Sequence, residues 1–249
     1  MLLLVLLGSF TDDIDREIAL QLIYSSSAKE SISLSGLAER CQCSTAAIHR
    51  FARRLGFEDF RRMKSQLTAT GKVRKEQLVH HIELTEPDKI TERIHFLAKD
   101  QYRDAEFTEA VRKINDLVTS YSRVVILAAG YPQALSLHYM EDMITMGKPV
   151  YALPIGYQMN MPEWTPNTLV IVISITGRLT DYFHKQFQEL QESSDHIVFI
   201  SAKECMPAGR ENALWLRIPV IGDDEDANAL LAEIFRYMKY DYYRRYGRI

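Results

Sequence analysis

The chain has 249 residues, with 30 Lys+Arg against 33 Asp+Glu for a formal net charge of −3; 47% of it is hydrophobic and 25% charged. Those proportions are those of ordinary globular proteins: they exclude wholesale disorder, collagen-like sequence and a coiled coil throughout, and the length suits one large or two modest domains. The three cysteines, Cys41, Cys43 and Cys205, are too few for a disulfide framework and point to a reducing, cytoplasmic setting.

The charge is uneven along the chain. Residues 1–75 hold 12 basic and 8 acidic side chains, and residues 40–75 alone hold 10 basic and 2 acidic, so the remainder is acidic. A basic module on an acidic body suggests a polyanionic partner for the first part only, although a merely solvated basic face gives the same count. At the start, Met1–Leu7 is an unbroken apolar run without a basic leader. It is too short for a signal-peptide core or a membrane span, so no membrane association is expected and the run is read as packing on its own domain.

Ile14, Ile18 and Leu22 recur at helical spacing behind Asp12 and Asp13, which predicts a first helix. Residues 33–56 then read as helix, tight turn, helix, with Leu34, Leu37, Ala38, Cys41, Ile48, Phe51 and Leu55 turned inward. Ser44 suits the N-cap of the second of these helices. Gly56 suits the position just past its end, with Phe57 placed for the accompanying apolar contact. Gln42 stands where such a turn favours glycine. A third helix follows, with Asp59 as cap and Phe60, Met63, Lys64 and Leu67 at helical spacing.

On the second helix Thr45, Ala46, His49, Arg50 and Arg53 lie off the buried stripe. A packed back, short residues near the N-terminus and polar or cationic groups able to reach base edges are what a recognition helix needs. Ser44 and Thr45 are also placed to hold a phosphate through hydroxyls and helix-start amides, and Lys64 adds a cation on the next helix. The competing reading is a three-helix bundle with a solvated basic side. The Cys41-x-Cys43 pair has no nearby histidine partner for a tetrahedral site, so no metal is expected there. Cys43 reads as a small apolar plug.

Three runs, Leu37-Ala-Glu39, Ser44-Thr-Ala-Ala-Ile-His-Arg-Phe51 and Leu55-Gly-Phe-Glu-Asp-Phe-Arg-Arg-Met-Lys64, resemble the N-terminal domain of RpiR-type bacterial transcriptional regulators. The resemblance covers about the first 75 residues. It implies a helix-turn-helix domain that binds a double-stranded DNA operator, joined to a C-terminal sugar isomerase (SIS) domain that senses phosphosugars, in a regulator of carbohydrate metabolism.

Beyond it, Gly71–Tyr102 is charged, carries Pro87 and reads as a helical connector, with His80 and His81 as ordinary exposed residues. A helix is expected at Phe107–Thr119. Five short apolar runs follow, Val124–Ala129, Val150–Leu153, Leu169–Ile173, Ile197–Ser201 and Leu214–Ile218, separated by helix-length stretches around Leu135–Met146 and Asp181–Glu192. Alternation of this kind predicts an α/β domain: a five-stranded parallel sheet between helices, a three-layer sandwich of flavodoxin type. The chain then divides into an all-α helix-turn-helix domain at 1–75, a helical linker at 76–104 and the α/β domain at 105–249.

Ligands of such sheets bind beyond the carboxyl ends of the strands. Two loops qualify: Ala128-Ala-Gly-Tyr-Pro-Gln133 and Ser174-Ile-Thr-Gly-Arg-Leu-Thr180. The second offers two hydroxyls, a glycine and a helix start, a plausible phosphate cradle. The region Phe107–Pro219 resembles the SIS domain, and the resemblance implies a ligand site drawn from Gly130, Tyr131, Ser174, Thr176, Gly177, Arg178 and Thr180. Two departures stand out. The family's first loop, Gly-x-Gly-x-Ser, is here Ala128, Ala129, Gly130, Tyr131 and Pro132. Its second, Ser-x-Ser-Gly-x-Thr, is here Ser174, Ile175, Thr176, Gly177, Arg178 and Leu179.

Lost hydroxyls and the missing N–H of Pro132 weaken a phosphosugar site, at about 1.5–3 kcal/mol for each hydrogen bond to a charged group. Arg178 offers a compensating cation or is a solvated loop arginine. The effector site is therefore read as altered or lost, and a purely structural dimerisation domain stays open beside the sensor. Catalysis is the other class. Its candidate bases His138, Glu141 and Asp142 share one helix, with Glu141 or Asp142 expected to face solvent or a partner, and no nucleophile elbow, zinc pair or phosphate-binding Walker loop is present. No enzyme activity and no cofactor are expected. At the tail, Leu231, Ile234, Phe235, Met238 and Tyr242 form an apolar stripe joined by Tyr237, Tyr240, Tyr243 and Tyr246, which suits a core or the interface of a homodimer or dimer of dimers.

Overall fold

The computed structural model describes residues 14–27, 32–154, 167–183, 185, 196–203, 213–219 and 224–247. Met1–Leu7, Asp12, Asp13, Cys205 and all but the start of the helix expected at Asp181–Glu192 lie outside them. The chain forms two compact units, one of residues 1–83 with 141–148, the other of residues 84–140 with 149–249.

The first unit is helical. It holds α1 (Ile14–Ser27), α2 (Leu34–Arg40), α3 (Thr45–Arg54) and α4 (Phe60–Glu83). Ser33 and Ser44 cap α2 and α3, accepting from the amides of Gly36 at 3.0 Å and Ala47 at 3.2 Å; Asp59 Oδ1 accepts from the Arg62 amide at 2.8 Å at the start of α4. Both helices of the helix-turn-helix end in the same pair of backbone hydrogen bonds. Phe57 N donates to Ala52 O and Gly56 N to Arg53 O, while Cys43 N donates to Ala38 O and Gln42 N to Glu39 O. That motif puts one residue in the left-handed region: Gly56 at φ 86°, and Gln42 at φ 49°, where an L side chain is strained.

Ile18, Leu22, Leu37, Ala38, Cys41, Ile48, Phe51 and Met63 are buried as expected. Leu34 and Leu55, expected inside, are half-buried. Helix α4 is the longest element at 24 residues and runs unbroken through position 75. Arg54 on α3 is tied to Asp15 on α1.

The second unit begins with α5 (Pro87–Leu97) and α6 (Asp104–Ser120) and continues with β1 (Arg123–Ala128), α7 (Tyr131–Thr145), β2 (Val150–Pro154), β3 (Thr168–Ser174), α8 (Arg178–Tyr182), β4 (His196–Ser201), β5 (Ala213–Arg217) and α9 (Asp224–Tyr246). All five strands are parallel, in the order β2-β1-β3-β4-β5. Every residue of β3 is buried, as a strand covered on both faces must be. Val125, Leu127, Val170, Val172, Ile197 and Phe199 form one apolar face, packed by Leu179, Phe183 and Trp215 among others. Helix α7 begins at Tyr131, four residues before the expected stretch, and its last residues count with the first unit.

The apolar stripe of α9 is core. Leu231, Ile234, Phe235, Met238 and Tyr242 are all buried; Phe235 stacks on Tyr139 with centroids 4.6 Å apart, and Tyr237 lies 5.4 Å from Phe107. Asn115 on α6 fastens the same helix, its amide donating to Met238 O at 3.0 Å and Asp241 Oδ2 at 2.9 Å. Among the described residues no helix is long and apolar enough to cross a membrane.

Candidate functional site

Helix α3 separates its residues sharply. Ala47, Ile48, Phe51 and Ala52 are buried, whereas Thr45, Ala46, Arg50 and Arg53 are exposed and His49 is half-buried. Positions 46, 49, 50 and 53 follow one another at helical spacing, so they share the outward face. Ser44 stands at its N-terminal end with its hydroxyl engaged by the Ala47 amide. The cations divide in the same way. Arg54 is held by Asp15, while among the described residues Arg50 and Arg53 meet no carboxylate. Lys64, half-buried on α4, belongs to the same unit.

In the turn, Cys41 and Cys43 are free thiols joined by a side-chain hydrogen bond. Burial, with the Glu17 carboxylate adding to it, pushes the Cys41 thiol up to about 12, and burial raises Cys43 as well. Thiols held protonated are neither nucleophiles nor metal ligands at neutral pH. Among the described residues no group of three or more His, Cys, Asp or Glu could hold a metal ion.

The second cluster lies at the carboxyl edge of the sheet. Strand β1 has β2 on one side and β3 on the other, so the chain leaves β1 and β3 at the point where the strand order reverses, the place where parallel sheets open a crevice. Both candidate loops stand there. After β1, Gly130 (φ 61°) is exposed and Tyr131 is 60% exposed at the start of α7. Gln133 one turn on is buried, and with its amide nitrogen toward the strands it donates to Ala128 O at 3.3 Å and Leu153 O at 3.1 Å. It clamps the ends of β1 and β2 together.

After β3, Ser174 is buried and its Oγ accepts from the Leu179 amide at 3.1 Å, so one amide of the α8 start is already occupied. Gly177, at φ 75°, turns the chain into α8, donating to Ser174 O at 2.9 Å. Thr176 and Arg178 are exposed, and Arg178 Nε donates to Thr176 Oγ1 at 3.0 Å. Thr180 lies within α8. Beyond β4, Ser201 accepts from Trp215 Nε1 at 3.1 Å, and Lys203 stands 3.9 Å from Asp181. Of the possible bases, His138 is exposed, whereas Asp142, expected at the surface, is buried. Its carboxylate is matched by Arg74 at 2.6 Å, with Glu141 3.7 Å from the same guanidinium.

Sequence reasoning singled out both loops and, separately, the outward face of α3. It missed Gln133, whose only signal is a lone amide in the first turn of a helix that follows an apolar strand. It also missed the distinction between tied and untied arginines, which depends on where Asp15 falls in space.

The helix-turn-helix model of the rpiR family matches residues 9–71, and the SIS domain model matches residues 117–234. No curated protein matches the chain. Among solved structures it is similar to the Vibrio vulnificus NanR protein complexed with ManNAc-6P, at 13% identity and TM-score 0.46, covering 99% of this chain and 92% of that one. It is also similar to MJ1247 from Methanococcus jannaschii, for which a 3-hexulose-6-phosphate isomerase function has been inferred, at 15% identity and TM-score 0.49, covering 64% and 89%. A third is the sugar isomerase domain of an RpiR transcription factor from Sphaerobacter thermophilus, at 16% identity and TM-score 0.39, covering 65% and 96%. The chain thus joins a helix-turn-helix domain of the rpiR family to a SIS domain.

Proposed function

We propose that the chain is a cytoplasmic transcriptional regulator of carbohydrate metabolism that binds duplex operator DNA through α3. It acts as a homodimer or dimer of dimers, assembled through its SIS domain, and responds there to a phosphorylated sugar. The observation that carries the DNA half is the outward face of α3, where Arg50 and Arg53 stand over a packed apolar back without a carboxylate among the described residues. A dimer would set two such faces on half-sites one helical turn apart or a multiple of it.

The sugar-phosphate half rests on the SIS match and on the two loops at the switch point, with Ser174, Thr176, Gly177, Arg178, Thr180, Gly130 and Tyr131 as the site. A second reading, a SIS domain kept for assembly alone, is favoured by the Ser174 hydroxyl being engaged by the Leu179 amide and by the absent N–H of Pro132. No catalytic step is assigned, because His138 is exposed and Asp142 is buried against Arg74.

Equilibrium binding of the full chain to a mixed-sequence duplex tests the first half. The expected affinity falls steeply with salt, and Arg50→Ala with Arg53→Ala flattens the salt slope by about 2. An unchanged slope would remove α3 from the interface. Thermal unfolding against a panel of sugar phosphates, with inorganic phosphate as control, tests the second. A ligand at a hundred times its Kd adds about 2.7 kcal/mol, a shift of several degrees that Ser174→Ala should abolish. No shift across the panel would leave the SIS domain with assembly alone.

A further inference from the structure

Helix α4 carries a second basic surface that the recognition helix does not account for. From Phe60 to Lys75 it holds six cations and no acid. Two of them are tied: Arg62 lies 3.9 Å from Glu58, and Arg74 pairs with Asp142 at 2.6 Å. Arg61 and Lys72, both exposed, meet no carboxylate among the described residues. With Lys64, Ser65, Thr68 and Ala69 they recur at three- and four-residue steps and line one open depression of about 480 Å³.

From Arg61 to Lys72 the helix rises about 16 Å, three turns on a single straight face. Small side chains fill its middle: Ser65, Thr68 and Ala69 are all exposed, and Thr68 turns its hydroxyl back to Lys64 O at 2.9 Å. A narrow ridge of cations with a low middle suits a polyanion lying against it. It does not suit an apolar partner, because no large apolar side chain lines it. Duplex DNA carries one charge per about 1.7 Å of axis, so a face of this length meets more than one phosphate.

We propose that this face of α4, centred on Arg61 and Lys72, is a second DNA contact that grips the phosphate backbone without reading sequence. It thereby adds affinity and salt dependence to the recognition made by α3. The inference rests on the reading of the chain as a DNA-binding protein. Contacts to phosphate position a protein and carry no sequence information, so the two faces make separable predictions.

The test is equilibrium binding of the full chain to a labelled mixed-sequence duplex over a range of salt, with circular dichroism to establish that each variant is folded. Arg61→Ala with Lys72→Ala is expected to flatten the slope of log affinity against log salt by about 2, and equally on every sequence tried. Thr68→Glu, which sets a carboxylate in the middle of the ridge at an exposed position, is expected to weaken binding several-fold at fixed salt. If both variants bind as the unaltered chain does while Arg50→Ala with Arg53→Ala is impaired, α4 is not a DNA contact and the reading of α3 stands. If the unaltered chain binds no duplex at any salt, both fall.

Discussion

Helix α3 and the loop from β3 into α8 each place a serine so that its hydroxyl accepts from an amide of a helix's first turn, Ser44 from Ala47 and Ser174 from Leu179. Beyond the serine they part. On α3 the next polar groups, Thr45, Arg50 and Arg53, project outward, and the two arginines are left without a carboxylate among the described residues. In the β3–α8 loop Arg178 bonds Thr176 and the Ser174 hydroxyl is buried, and after β1, one turn beyond Gly130, the Gln133 amide is spent on strand carbonyls. Similar residues thus serve two ends. The outward face of α3 keeps Arg50 and Arg53 exposed, whereas the loop at the sheet edge commits its polar groups to neighbours, with which any small ligand there has to compete.

The contrast can be broken most severely from behind. Phe51 is one of the largest fully buried side chains and backs α3. Phe51→Ala should cost about 3–5 kcal/mol, much of what holds a domain together. Duplex binding should vanish. Tryptophan fluorescence should stay native, because residues 1–83 and 141–148 hold no tryptophan. A matched pair sharpens the comparison at a smaller scale. Ser44→Ala and Ser174→Ala should each cost about 1 kcal/mol, a lost helix cap in the first and a lost hydrogen bond from the Leu179 amide in the second, read as a lower unfolding midpoint. Only the first should also weaken duplex binding.

A gain is expected in the turn. Gln42→Gly relieves a left-handed backbone conformation and should stabilise the first unit by up to about 1 kcal/mol, measured by denaturant unfolding. An unchanged midpoint would mean that the strain is already relieved by its surroundings. The smallest effect concerns pH. The Tyr246 hydroxyl and then Arg245 at 2.5 Å, both on α9, hold the carboxyl of Asp116 on α6 below its ordinary value. A lowered carboxyl contributes stability that is complete above its unfolded value of about 3.9 and is lost as pH falls through the folded one. The α6–α9 contact should therefore loosen only in acid, and slightly, since half of Asp116 is exposed and screened. Tyr246→Phe should shrink the difference in unfolding midpoint between neutral and acid pH.

Much of this was legible in the residues. The five strands fell where branched apolar runs stand, and Ser44, Gly56 and Asp59 mark helix ends because caps are local chemistry. What sequence left open depends on distant partners. The stripe of α9 suits a core or an interface equally until Tyr139 is found stacked on Phe235. Asp142 looks like a surface acid until Arg74, 68 residues away in the chain, supplies its counter-charge. The loops at the sheet edge were recognisable by composition, but whether Ser174 points at a ligand or at its own helix is a matter of one hydrogen bond that no spacing encodes.

The central claim, that the outward face of α3 reads DNA, is tested most directly by selection from a random duplex pool with the full chain, followed by sequencing. The prediction is an enriched near-palindrome whose half-sites lie one helical turn or a multiple apart, with enrichment lost in Arg50→Ala. A pool that stays random after repeated rounds, or one enriched equally by Arg50→Ala, would contradict it.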